Sequence, residues 1–237
     1  MSWWRWSLFR RKAVPTLQVH SNLVRDVVIT VPDWHEDEPD EGMRKWHSPR
    51  GAVLSLAAVA RAAIPPPARV DLLRRSFRRL AEARSAGLVE ADLVQSPYGP
   101  SAQMVYKALR DRAFVFTGML LLPADAEWLV CTVVDCERGT TGVREAVVTA
   151  QLIEAGALDV ESYEERWAND PYDSQYRSTA KVPLRYLSDD ESYDAQFPDH
   201  PLSIVRCTLR ALLENVFINA RTNGLIHPAA SAARHQE

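Results

Sequence analysis

Two apolar runs separated by a short break restrict what this chain can fold into more than any other feature. Phe114–Leu122 is almost continuously apolar, Pro123-Ala124-Asp125-Ala126 interrupts it, and Trp128–Cys136 resumes in the same manner. Short runs joined by so few residues are most simply an antiparallel pair. Apolar side chains stand at both odd and even positions, so both faces of the pair are covered and the hairpin lies at the centre of a sheet. Arg138-Gly139-Thr140-Thr141-Gly142 then leads into a helix, with Thr140 or Thr141 as cap and Glu145 in the first turn. Val143, Val147, Ala150 and Ile153 line one side of it. Glycines ahead of a helix can cradle an anion. The lysine and spacing of a phosphate loop are absent, however, as is the dinucleotide pattern.

Upstream of the hairpin the same reasoning finds further strands and one helix. Leu23–Val31 reads as a first strand, ended by Pro32-Asp33-Trp34, and 35–42 as an acidic loop. Met43–Ser48 and Ala52–Ala60 read as a second and a third strand, turned at Ser48-Pro49-Arg50-Gly51, although the alanines of the third also suit a short helix. After the stop at Pro65-Pro66-Pro67, Asp71 stands where an N-cap belongs; Leu73, Phe77 and Leu80 follow at helical spacing, and Gly87 is placed to end the helix. Leu88–Val94 and Ala102–Leu109 complete the strands before the hairpin. Near the end, Pro201 suits a first helical turn capped by Asp199 or His200, and Leu202, Val205, Leu209, Leu212, Leu213 and Val216 form an apolar stripe. The expected class is α+β: an antiparallel sheet of about five to seven strands flanked by helices, with an acidic, loop-rich C-terminal extension and a final packing helix. Residues 1–16 read as an aromatic and basic extension, 17–220 as a single domain and 221–237 as a flexible tail.

Charge narrows the functional classes. The net charge of −3 gives no bulk attraction to nucleic acid. Its distribution is uneven, with four bases and no acid in 1–12 and eleven acids against four bases in 159–199. Three cysteines make no disulfide framework and suit a reducing, cytoplasmic setting. Cys131 and Cys136, five apart on a strand, point to opposite faces and cannot share a metal. No apolar run approaches the roughly 18 residues a membrane-spanning helix needs.

Three groups of residues are candidates for contact. Trp3, Trp4 and Trp6 with Arg10 and Arg11 suit a boundary between oil and water, hence peripheral membrane contact. Arg74, Arg75 and Arg78 along one helix suit phosphate or an acidic surface. In 157–200, Trp167, Asp170, Tyr172, Asp173, Asp189, Asp190, Glu191, Tyr193 and Asp194 combine rings with carboxylates. So many rings argue against disorder, and the segment reads as an ordered loop with its acids outward, shaped to hold a protein partner with a basic surface. The competing reading is a metal-dependent hydrolase using the Asp cluster and His200, but the spacing of a calcium loop is missing. No nucleophile elbow or zinc-protease motif occurs. No catalytic residue, metal or cofactor is therefore expected.

The order of elements carries one further inference. A strand ending in Val31-Pro32-Asp33-Trp34, a hairpin, a long helix, a meander and a packing helix resemble the Mog1p/PsbP-like fold superfamily over about residues 23–155. The resemblance implies an α/β/α sandwich and a binding module in place of an enzyme. The region after Gly156 departs from that pattern, so no partner and no binding residue carries over. The sequence as a whole points to a non-catalytic protein-binding module, as an adaptor or an immunity-type inhibitor is.

Overall fold

The computed structural model describes residues 21–38, 42–61, 69–124, 126–159, 161, 167–177 and 182–218. Its centre is the expected hairpin, β7 (Ala113–Ala124) and β8 (Glu127–Cys136). Around it stand β2 (His35–Glu36), β3 (Met43–His47), β4 (Val53–Ala60), β5 (Gly87–Ser96) and β6 (Gly99–Arg110). All seven pair antiparallel in the order β2-β3-β4-β8-β7-β6-β5. The alanine-rich third run is thus a strand, because Leu54, Leu56 and Ala58 alternate into one core while Val59 faces the other.

Helices cover both faces. On one, α4 (Pro201–Asn215) lays Leu202, Val205, Leu209 and Leu212 against Phe116, Leu120, Leu129 and Val133. The close approach depends on Gly118, where a Cβ would stand 2.6 Å from Val205 Cγ1 and 2.7 Å from Leu209 Cδ1. On the other face α2 (Val70–Glu82) packs Leu73, Phe77 and Ala81 on Leu88, Met104 and Trp128. The α+β class and the antiparallel sheet flanked by helices therefore stand.

Several local expectations change. Leu23–Val31 splits into α1 (Ser21–Arg25) and β1 (Val27–Ile29), and β1 pairs with β11 (Val216–Ile218) outside the main sheet. Val24 of α1 and Val27 of β1 are both buried, whereas one continuous strand would turn residues three apart to opposite faces. Arg69, not Asp71, is the N-cap of α2; Asp71 lies in the first turn and pairs with Arg69 and Arg75. That helix ends before Ser85, which takes the left-handed turn at φ 56, so Gly87 has another task. A Cβ there would fall 1.6 Å from the Pro183 carbonyl oxygen, where the C-terminal segment crosses β5. Gly142, at φ 73, replaces Thr140 or Thr141 as N-cap of α3 (Val143–Glu154). His200 does cap α4, its ring accepting from Leu202 N–H, with Pro201 next. Between α3 and α4 run β9 (Ala168–Asn169) and β10 (Arg185–Tyr186), paired with each other, and two single 3-10 turns at Leu187–Asp189 and Glu191–Tyr193. No helix among the described residues is long and apolar enough to cross a membrane.

Candidate functional site

Alternation along β6 puts Lys107 on the same face as Val105, inside the molecule. An ammonium there loses its hydration, a cost of several kcal/mol unless a carboxylate meets it. Asp189 does so, accepting from Lys107 Nζ at 2.5 Å with both side chains wholly buried. Tyr186 lays its ring 3.2 Å from the same nitrogen and Phe114 adds a second ring at 4.9 Å. Burial pushes the lysine pKa down, and Asp189 opposes the shift.

Two buried arginines extend the network. A β-bulge between Leu88 and Glu90 turns Glu90 toward α4, where it accepts from Arg206 Nε at 2.9 Å and Nη2 at 2.7 Å. Arg206 also donates to Asp194 Oδ1 at 3.0 Å and to the Asp189 carbonyl at 2.7 Å. From α3, Arg144 donates to the Ser188 carbonyl at 2.6 Å, Ser203 Oγ at 2.9 Å, the Asp190 carbonyl at 2.9 Å and Asp194 Oδ1 at 3.0 Å. Residues 188–194 are thereby fixed from three sides.

The acidic segment does not turn all of its carboxylates and rings outward. Asp170 is buried and takes both Arg78 Nε and Nη2, at 2.7 and 2.6 Å; Asp189 lies in the core; Trp167 is buried against Tyr186 at 5.6 Å. These three face inward and are not available to a partner. Asp194 is mostly covered between the two arginines. Tyr172 is half-buried, its hydroxyl accepting from Ala91 N–H at 2.7 Å while Arg74 lies 3.7 Å over its ring. Asp173 is exposed. Glu191 is exposed beside Arg210, Asp190 is half-exposed beside Arg185, and Tyr193 is half-buried. The five aspartates offered as a cation cluster are distributed among different arginines and Lys107, or face solvent, and do not converge.

The arginine row on α2 is likewise committed. Arg74 holds the Ala91 carbonyl and Asp92, Arg75 holds Asp71, and Arg78 holds Asp170. It is not a free basic face, because Asp92 of the sheet edge, Asp71 of α2 itself and Asp170 of the C-terminal segment supply its counter-charges. Trp3, Trp4, Trp6, Arg10 and Arg11 lie outside the described residues.

One cleft, of about 400 Å³, opens where the end of β8 meets the starts of α3 and α4, with Arg138, Val143, Phe197, Asp199, His200 and Pro201 in its wall. Glu137 at its edge accepts from Phe114 N–H at 2.8 Å and from Gly142 N–H at 2.9 Å. The glycine turn that could cradle an anion is therefore filled by the chain's own carboxylate. His200 sits edge-to-face on Phe116 at 5.3 Å, its Nδ1 accepting from Leu202 N–H at 3.2 Å. Its Nε2 stands 4.0 Å from Glu137 Oε1. Burial, followed by the Arg144 charge, drives the His200 pKa down to about 4. Glu145 completes the group, and ligand atoms of Glu137, Glu145 and His200 all lie within 4.8 Å of one another. Burial raises the Glu145 pKa. Chemically such a trio can hold a proton or a cation. No described hydroxyl or thiol is hydrogen-bonded to His200 Nε2.

Sequence reading missed Lys107, Arg144, Glu137 and Glu145 as members of one cluster. A lone lysine inside the apolar run 102–109 was the available signal for the first. The others share no local pattern.

No protein-family model matches the chain, and no curated protein does. Among solved structures the chain is similar to the Saccharomyces cerevisiae Ran-binding protein Mog1p, at 8% identity and a TM-score of 0.40, over 85% of this chain and 95% of that one. It is similar also to a single-substitution variant of Mog1, at 7% identity and a TM-score of 0.41, over 88% and 98%. A Bacteroides thetaiotaomicron protein matches at 14% identity and a TM-score of 0.26, over 52% of this chain and 42% of that one.

Proposed function

We propose that the chain is a non-catalytic protein-binding module, an adaptor or an immunity-type inhibitor. In this reading the outer side of residues 187–193 meets a partner with a basic surface. The observation that supports it is the contrast between the two sides of that segment. Its inner side is pinned by Lys107, Arg144 and Arg206. Its outer side shows Leu187 at 37% exposure, Glu191 with a side chain 68% exposed, and the half-exposed Asp190 and Tyr193. A surface already ordered before binding loses little entropy on docking. Carboxylates around an apolar and aromatic centre steer a basic partner and hold it. Residues 17–220 act as one domain in this reading, and the three free thiols suit a reducing compartment such as the cytoplasm.

The test uses Leu187→Asp and Glu191→Lys, both at exposed positions. Proteins retained by the wild-type chain from its host extract at about 0.1 M salt are compared with those retained by each variant and by the wild type at about 0.5 M salt. A partner lost under all three conditions, and then weakened at least about tenfold by each substitution in direct titration, supports the reading. Retention of the same proteins by both variants overturns it.

A further inference from the structure

Matching the buried charges leaves two acids over. Lys107 pairs with Asp189, Arg144 with Asp194, Arg206 with Glu90, and Arg138 with Asp135. Glu137 and Glu145 remain, and no described lysine or arginine forms an ion pair with either. Both oxygens of Glu145 are buried and accept no hydrogen bond from another described residue. Beside them, the His200 side chain is only 9% exposed and its Nε2 is also unpartnered; Glu137 is 6% exposed. Three donors of two kinds, two carboxyl groups and one imidazole, thus converge within 4.8 Å of one another. Like charges in a dry site destabilise each other unless something cancels them.

We propose that Glu137, Glu145 and His200 form a binding site for one divalent transition-metal ion of the zinc or manganese class. The donor set selects the class, since imidazole with carboxylates suits zinc and its neighbours, whereas calcium and magnesium take oxygen ligands throughout. Glu137 keeps a lone pair on each oxygen beyond the one given to Phe114 or Gly142 N–H. Bonds of about 2.0–2.2 Å draw the donors closer by roughly an ångström, a shift open to Glu145, whose oxygens no other residue holds. Ligation through Nε2 places the ring proton on Nδ1, so loading exchanges the 3.2 Å cap bond from Leu202 N–H for a metal bond. The cleft meets the site at Glu137 and His200, which leaves a coordination position open toward it.

The test is metal retention by the untagged full-length protein. The wild type is dialysed against micromolar Zn2+ or Mn2+ and the bound ion is counted by elemental analysis. The Co2+-loaded wild type is read by its visible absorption, which needs no variant. Glu145→Gln keeps the shape of the side chain, and His200→Asn keeps a cap acceptor for Leu202 N–H while removing the imidazole. One ion per chain in the wild type, with affinity lowered at least about a hundredfold in both variants, is the expected result. Absence of bound ion and of a Co2+ spectrum in the wild type overturns the proposal, and so does binding that both variants keep.

Discussion

Lys107 and Asp189 lie 82 residues apart in sequence and meet with no solvent reaching either side chain. Removing one partner of such a pair strands the other charge, at a cost of about 3–5 kcal/mol, whereas replacing both is often close to neutral. Asp189 has a second duty, since the same oxygen accepts Tyr186 N–H at 2.7 Å. The informative variant is therefore Asp189→Asn, which keeps an acceptor and removes the charge. It should lower unfolding stability by about 3 kcal/mol in urea titration. Lys107→Met together with Asp189→Asn should recover most of that loss. A double variant as weak as the sum of the two singles would show that the pair has no charge coupling.

At the scale of elements, what was legible and what was not divides by the range of the contacts. The β7–β8 hairpin was legible because apolar residues on both parities admit only a strand covered on two faces. The helix stripes of α2 and α4 were legible for a similar local reason, with Phe77 and Leu209 recurring at helical spacing. Leu23–Val31 looks like one strand because nearly continuous apolarity hides the phase; only burial shows that Val24 and Val27, at opposite parities, both face the core. Acids in 157–200 look outward in the sequence because their counter-charges, Arg78 and Arg144, lie far away along the chain. The candidate cation site has the same difficulty: His200 was visible as a residue, but Glu137 and Glu145 become its neighbours only when β8, α3 and α4 meet. Gly87 illustrates the point. Next to a helix it reads as a stop, yet its task is to let Pro183 cross β5. Gly87→Ala, with its Cβ 1.6 Å from a backbone oxygen, should displace the crossing segment and open it to protease. Gly118→Ala, which meets the side-chain ends of Val205 and Leu209, should cost about 1–3 kcal/mol with that segment still closed. Gly139→Ala, with nothing within 4 Å and φ at 71°, should cost only about 1–2 kcal/mol. Equal protease sensitivity in the first two variants would refute the distinction.

Across the whole molecule, the C-terminal segment behaves as a strap. Tyr172 satisfies the outer edge of β5 at Ala91, Asp170 ties to α2, Asp189 enters the core, and the chain then returns as α4 over the same sheet. Covering an edge strand in this way also blocks unwanted strand pairing. Hydrogen exchange separates a strap of this kind from a loop resting on the surface. The Tyr186 amide donates to buried Asp189, and the Leu187 amide to the Trp167 carbonyl at 3.0 Å. If the ion pairs lock the strap, these amides open only with the sheet, and their protection should approach that of Leu120 and Val133 in the central hairpin. The Gln175 amide, whose partner is the side chain of exposed Asp173, should exchange far sooner. Asp189→Asn should lower protection at Tyr186 and Leu187 more than at Leu120, because it releases the strap before the sheet. Rapid exchange at Tyr186 and Leu187 in the wild type, with the hairpin still protected, would mean that the strap opens on its own, and a docking surface built on it would not be ordered before its partner arrives.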